Sequence, residues 1–331
     1  YNYVAKYQSY QGKGEITVGL SNMSVSAIVT LDISTMKPEE NGNIQMMLVG
    51  TVGSLNITST TADYIIDWGD GSTENASGTG AKSYSHTYPD TGYYQVEISN
   101  CAEVTSANGT SACLIAYWSI GDSKVNGLIF NWFNSVIYIG DLWKNDNKIS
   151  FESFCTYCDK LKFINIDSFS SKSSVTNLGN FLMGCAFENI DLAPLANMNG
   201  VTRISSFLMS CGSLKNVDLT PLAVMTGVTS AYALFRRCYN LKNIDLTPLK
   251  DMRITDTTLL LSECSRLAYI KIGWQTPPPA YNDTLEKTGS GPIYVPDESV
   301  DLYKTATNWS KYATRYKPMS NFSTDFPEET V

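Results

Sequence analysis

The stretch "SCGSLKNVDLTPLAVMTGVTS" at residues 210–230 returns almost unchanged as "RCYNLKNIDLTPLKDMRITDT" at residues 237–257. Aligning these two copies exposes others. Cys158, Cys185, Cys211, Cys238 and Cys264 are spaced by 27, 26, 27 and 26 residues. Phe154, Phe181, Phe207, Leu234 and Leu260 stand four residues before them, and Leu161, Leu214, Leu241 and Leu267 stand three residues after four of them. The second copy is one residue shorter, and Phe187 takes that leucine slot. Apolar pairs follow at Ile164/Ile166, Ile190/Leu192, Val217/Leu219, Ile244/Leu246 and Ile270/Ile272. Three copies add Pro194-Leu195, Pro221-Leu222 and Pro248-Leu249, then Met198, Met225 and Met252.

A period of 26–27 residues with this leucine pattern falls within the leucine-rich-repeat range. In "NVDL" the apolar residues alternate, so Val217 and Leu219 are expected on one face of a short strand and Asp218 on the other. "TPLAVM" reads as a brief helical turn with Thr220 as N-cap and Pro221 at the first helical position. One copy cannot bury its own apolar side, so the copies are expected to stack into a solenoid. The cysteines, one per rung, then form a buried ladder of small apolar side chains. The Cys155–Cys158 pair has the CxxC spacing of metal and redox sites, but no His or second CxxC lies near it, so no metal and no cofactor are expected. Cys101 and Cys113 lie outside the ladder; a disulfide between them and two separate thiols both fit the sequence.

The string "FLMSCGSLKNVDLTPLAVMTGVTSAYALFRRCYNLKNIDLTPL" resembles the BspA-like leucine-rich repeats of bacterial surface proteins. The match covers about residues 150–275, departing at Leu234, Leu260 and the shortened second copy. The segment "PIYVPDESVDLYKTATNWSKYATRYKPM" also resembles the closing segment of such proteins from Bacteroides-type bacteria, where a strand (here Ile293–Val295) and a helix (here from about Ser299) end the solenoid. Val300, Tyr303, Ala306 and Trp309 recur at about helical spacing, as a cap over about residues 276–318 requires.

Ahead of the repeats, residues 61–100 carry "IDWGDGS" at 66–72, then His86-Thr87-Tyr88 and Gly92-Tyr93-Tyr94. This stretch resembles a PKD-like domain. The match covers roughly residues 41–103 and implies an Ig-like β-sandwich there; the strand-like runs "GEITVGL" and "VSAIVTLDI" in residues 1–40 either belong to that sandwich or form a separate lead-in, and the first domain is drawn over residues 1–103 with them. Residues 104–150, rich in aromatic residues, are expected to join the sandwich to the solenoid, with Trp118, Trp132 and Trp143 in the core. The expected fold class is therefore mainly β with short helices: an N-terminal PKD-like β-sandwich, then a leucine-rich-repeat solenoid over residues 104–331.

The net charge of −8 argues against nucleic acid and anionic membranes as partners. No run of about 18 apolar residues is present. The chain opens on "YNYVAKYQSY" without Met, which reads as a trimmed, mature chain. With 20 Tyr and 23 Gly it has the composition of a β-rich extracellular or cell-surface protein. His86 is the only histidine, and no nucleophile motif, P-loop or H-E-x-x-H is found, so no catalytic residues are assigned. Asp67 and Asp70 are two carboxylates where calcium needs six to eight oxygens, so a turn role is expected.

The candidate site is the outward face of the repeat strands. Stacking sets Asn165, Asp191, Asp218, Asp245 and Lys271 in one column, with Asn189, Asn216 and Asn243 beside it and Tyr269 at the last rung. Neighbouring aspartates at coil spacing repel by about 0.8 kcal/mol in water before screening, and Lys215 and Lys242 are placed to offset this. The resemblance implies a non-catalytic surface protein that binds or adheres to host protein, matrix or glycan. The alternatives are a structural spacer that displays other modules and a carbohydrate-active or proteolytic enzyme whose acid pair leaves no local motif.

Overall fold

The computed structural model describes residues 44–59, 63–99, 103–109, 114–119, 124–125, 136, 138–140, 149–281 and 283–327. The strand-like runs of residues 1–40, Cys101, Cys113, Trp132 and Trp143 lie outside the described residues.

The first part is built on a long antiparallel pair, β1 (Ile44–Ser59) and β4 (Gly80–Ser99). Their register slips between Gly50 and Val52, where Gly50 takes φ +126°, and the bulge divides the pair into two halves. The first half of β1 pairs with β6 (Leu114–Ser119) and the second with β5 (Glu103–Gly109). β4 also carries β2 (Asp63–Asp67), which pairs with β3 (Thr73–Ser77). Alternation decides which side is buried: Tyr64 and Ile66 are inside while Asp63 and Asp67 face water, and Val96 and Ile98 join them from β4. β5 and β6, which follow residue 103, belong to this same sheet.

The sheet then changes character. β6 pairs in parallel with β8 (Tyr138–Ile139), which pairs in parallel with β9 (Phe163–Ile164). Parallel neighbours need a long connection, and 18 and 23 residues separate these strands in sequence.

From residue 150 the chain returns onto itself every 26–27 residues. The Cys155 amide donates to the Phe181 carbonyl at 2.8 Å, Leu182 to Phe207 at 3.1 Å, Leu208 to Leu234 at 3.1 Å and Phe235 to Leu260 at 3.0 Å. On another side of each turn, the Lys215 amide reaches the Glu188 carbonyl at 2.8 Å and Lys242 reaches Lys215 at 3.1 Å. The periodic side chains fill the interior: the aromatic-or-leucine rung, the cysteines, the leucine rung, Leu195/Leu222/Leu249 and Met198/Met225/Met252 are all buried. Two positions four apart in each turn take positive φ without glycine in most copies, as at Ser206 and Ser210, Ala233 and Arg237, and Leu259 and Glu263. Each costs about 1 kcal/mol, offset by the coil-to-coil bonds that flank it.

Two local expectations are corrected. "NVDL" forms no hydrogen-bonded strand and Val217 is half-buried, while Leu219 is buried. Of the five apolar-pair rungs, those that form paired strands are β9, β10 (Asn243–Asp245) and β11 (Tyr269–Lys271). Thr220 is also no N-cap. The 3-10 turn spans Thr220–Val224, Leu219 precedes it, and the oxygen that accepts from its first amide belongs to Asp218.

The end of the stack is closed by β12 (Ile293–Val295), α1 (Val300–Thr305), β13 (Tyr316–Pro318) and α2 (Phe322–Asp325). The helix expected from about Ser299 ends at Thr305, since Ala306 turns extended (φ −66°, ψ 144°). Trp309 is still buried, reached after that break, and its indole N–H donates to the Pro278 carbonyl at 2.7 Å. Tyr303 and Tyr316 pack against one another, with their hydroxyls donating to the carbonyls of Trp274 and Trp309.

Candidate functional site

The aspartate column has a local structural role. Asp191, Asp218 and Asp245 each accept, through Oδ1, the amide N–H two residues on, at 2.8, 2.8 and 2.9 Å. Asn165 does the same to Asp167 at 2.8 Å. These are Asx turns, and they start the 3-10 turn that follows each rung. A side chain with an acceptor one bond from Cβ suits this geometry, which explains why Asn165 can stand where the other copies have Asp. Asp191 and Asp218 are exposed, and among the described residues their Oδ2 atoms have no partner from the chain itself.

The neighbouring column is partly self-paired. Asn216 donates to Asn189 at 3.5 Å, and Asn243 is half-buried in β10. Lys215 pairs with Glu188 at 2.6 Å rather than with an aspartate, and this hydrogen bond holds the Glu188 carboxyl below its ordinary value.

At the last rung Tyr269 and Lys271 meet the chain's own C-terminal segment. Tyr269 is buried, with its ring 4.9 Å from Phe322 and 4.8 Å from Phe326. The Lys271 ammonium sits 3.5 Å from the centre of the Phe322 ring and 3.5 Å from Asp245 Oδ2. Asp325 ties this segment down by accepting from the Tyr294 hydroxyl at 2.5 Å and from Lys317 at 2.8 Å. Tyr269 is expected on the open strand face, and the segment that covers it lies past the cap expected over about residues 276–318.

The thiol ladder is laid out with a regularity that packing alone does not demand. The Sγ of Cys185, Cys211, Cys238 and Cys264 donates to the carbonyls of Cys155, Leu182, Leu208 and Phe235, at 3.1, 3.2, 3.2 and 3.0 Å. The acceptor in each case belongs to the preceding coil, three residues before its cysteine. None of the six described cysteines forms a disulfide. Burial raises the thiols of Cys155, Cys185 and Cys238 well above the ordinary range and pushes Cys211 up to about 12. Since the thiolate is the reactive species, native protein at pH 7.5 is expected to leave Cys185, Cys211 and Cys238 unmodified by iodoacetamide. Guanidinium is expected to expose them to complete alkylation, read by peptide mass spectrometry. Labelling of Cys211 or Cys238 without denaturant would show that the ladder opens in the native state.

In the N-terminal part, Ser72, His86 and Asp70 come together without the geometry of a catalytic triad. His86 Nε2 lies 2.8 Å from Asp70 Oδ2 and 3.3 Å from Ser72 Oγ, so one ring nitrogen faces both. A triad needs the acid and the nucleophile on opposite nitrogens. Asp70 also accepts from the Ser72 hydroxyl and amide, which brings its carboxyl down to about 2 against the desolvation that opposes it. Trp68 stacks on His86 at 5.1 Å, and the Tyr88 hydroxyl donates to the Trp68 carbonyl. The cluster is a pin across the "GDGS" turn. Among the described residues no three metal-ligating side chains converge.

One feature escaped the sequence reading. Alongside the "VT" segments lies an open groove of about 380 Å³, lined by Glu152, Asn177, Arg203, Ser205, Thr229 and Ser230 among others. Parallel bridges Ser150–Asn177–Arg203 set its rungs. The residues at these rungs share no type, so the column left no pattern to find.

No helix of the described residues is long and apolar enough to cross a membrane. No protein-family model matches this sequence, and no curated protein matches it.

Proposed function

We propose that this is a non-catalytic binding protein of the extracellular or cell-surface space, built as a BspA-like leucine-rich-repeat solenoid behind a PKD-like β-sandwich. Its partners are host or matrix protein, or glycan, met on the outward column that includes Asp191, Asp218 and Asp245. The observation that carries this reading is that the three carboxylates repeat once per coil, each locked by its own Asx turn. Groups fixed before contact lose little entropy on binding, which is what a recognition surface requires. The Ser72–His86–Asp70 geometry supports leaving enzymatic activity out.

The test is a panel of immobilised matrix proteins and glycans, probed with the wild-type chain and with the triple variant Asp191→Asn, Asp218→Asn, Asp245→Asn. Asparagine keeps each Asx turn and removes the charge. Saturable binding to one member, reduced tenfold or more in the triple variant, is the expected result. Binding to nothing in the panel favours a structural spacer. Turnover of a polysaccharide, abolished by one carboxylate substitution, overturns the non-catalytic reading.

A further inference from the structure

We infer that the groove beside Arg203 is a second, separate binding site, whose ligand is a sugar chain bearing carboxylates. It rests on the proposed binding role but not on the aspartate column.

Arg203 is exposed, and no acidic partner for its guanidinium is found among the described residues. Among the described residues Arg253 is exposed and without an acidic partner too, and what distinguishes Arg203 is its place in the groove lining. The acid within the groove, Glu152, accepts from the Asn177 amide at 2.9 Å, which fixes its direction and leaves its charge, so Arg203 has to supply the attraction for an anion against one carboxylate. Arginine's planar fork is matched to carboxylate, which it binds through two parallel hydrogen bonds.

The rest of the lining selects sugar over peptide. Ser205, Ser230, Thr202, Thr229 and Asn180 line it, with no large apolar side chain to hold a peptide's; Ser230 donates to Asp256 at 3.1 Å and Thr202 to the Thr176 carbonyl at 3.3 Å, so their hydroxyl oxygens are left as acceptors for sugar hydroxyls. The backbone here cannot add a strand. The Asn180 amide donates to Ser205, Thr202 to Thr176 and Ser206 to Tyr232, so the edge a peptide would pair with is used between coils. Gly179 and Ser205 occupy successive rungs between Glu152 and Tyr232, and their small size makes the trough. Tyr232, 39% exposed, follows on the next rung. Coils about 4.8 Å apart make the trough about 14 Å long over three steps, which suits linked rings rather than one.

The experiment is calorimetric titration of the full chain with oligogalacturonate, a carboxylated glycan, with dextran as the neutral glycan and polyglutamate as the acidic peptide. Binding to oligogalacturonate alone is expected. Arg203→Gln should weaken it tenfold or more, Arg203→Lys less, and both variants should keep the wild-type melting temperature because the side chain is exposed. The triple aspartate-to-asparagine variant should bind oligogalacturonate like the wild type, which separates this site from the first. Equal binding of dextran or polyglutamate, no binding of oligogalacturonate, indifference to Arg203→Gln, or loss in the triple aspartate variant would each overturn the assignment.

Discussion

Gly291→Ala is expected to be among the most damaging single substitutions in the chain. A Cβ there would stand 1.7 Å from the Ala268 carbonyl oxygen and 2.4 Å from its carbon. Those atoms belong to backbone that cannot swing away, because the Ala268 amide donates to Lys242 and the Ile270 amide to Pro292. Gly289, two residues earlier, lies as close over Leu267, so the segment rests flush on the coil below. The Gly291 carbonyl also accepts from Arg315 Nε at 2.8 Å, which links this contact to the end cap. The added methyl must lift the segment and break that link, a loss of about 4 kcal/mol or more. At roughly 2 °C per kcal/mol for a chain of this size, the melting point should fall by about 8 °C. Trypsin should cut at Lys304 or Lys311 in the variant first. Gly71→Ala is the control: φ there is +93° but nothing stands within 4 Å of the new Cβ, so its cost is the backbone penalty of about 1–2 kcal/mol. Equal melting of Gly291→Ala and wild type would mean that the segment does not lie against Ala268.

The contrast between these glycines shows what could be read from the sequence. The 26–27-residue period, the buried rungs and the cysteine positions were legible because each depends on side-chain type repeated at a fixed interval. Gly289 and Gly291 repeat nothing, and their role comes from how closely two backbones approach. The candidate site divides the same way. The aspartate column was visible because its residues recur, and they recur because each must start a turn. Arg203, Ser205 and Gly179 are chosen rung by rung, so the groove becomes apparent only once the coils are stacked. The covering of Tyr269 by Phe322 was missed for a third reason. It is made by Phe322, which lies past the last cysteine copy and belongs to no residue pattern that the repeats share.

The repeat also predicts how its own irregularities behave. Phe181 is fully buried, with its ring 5.3 Å from Phe154, 5.3 Å from Phe169 and 5.7 Å from Phe207. It therefore fills the interior of one coil and forms the floor of the next. Phe181→Ala should cost about 3–5 kcal/mol, since the removed ring loses its transfer energy and leaves a cavity that stacked coils cannot collapse. Coupling between neighbours in a linear array spreads the damage, so amide exchange should quicken in the coils on both sides. Phe181→Leu should cost about 1.5 kcal/mol or less, because Leu234 and Leu260 already occupy this rung, buried, in two later coils. Urea unfolding of the two variants with hydrogen-exchange mass spectrometry measures both effects. If Phe181→Ala lost no more than Phe181→Leu, the aromatic rung would not be packed as one continuous column, and the coils would be independent units rather than a shared core.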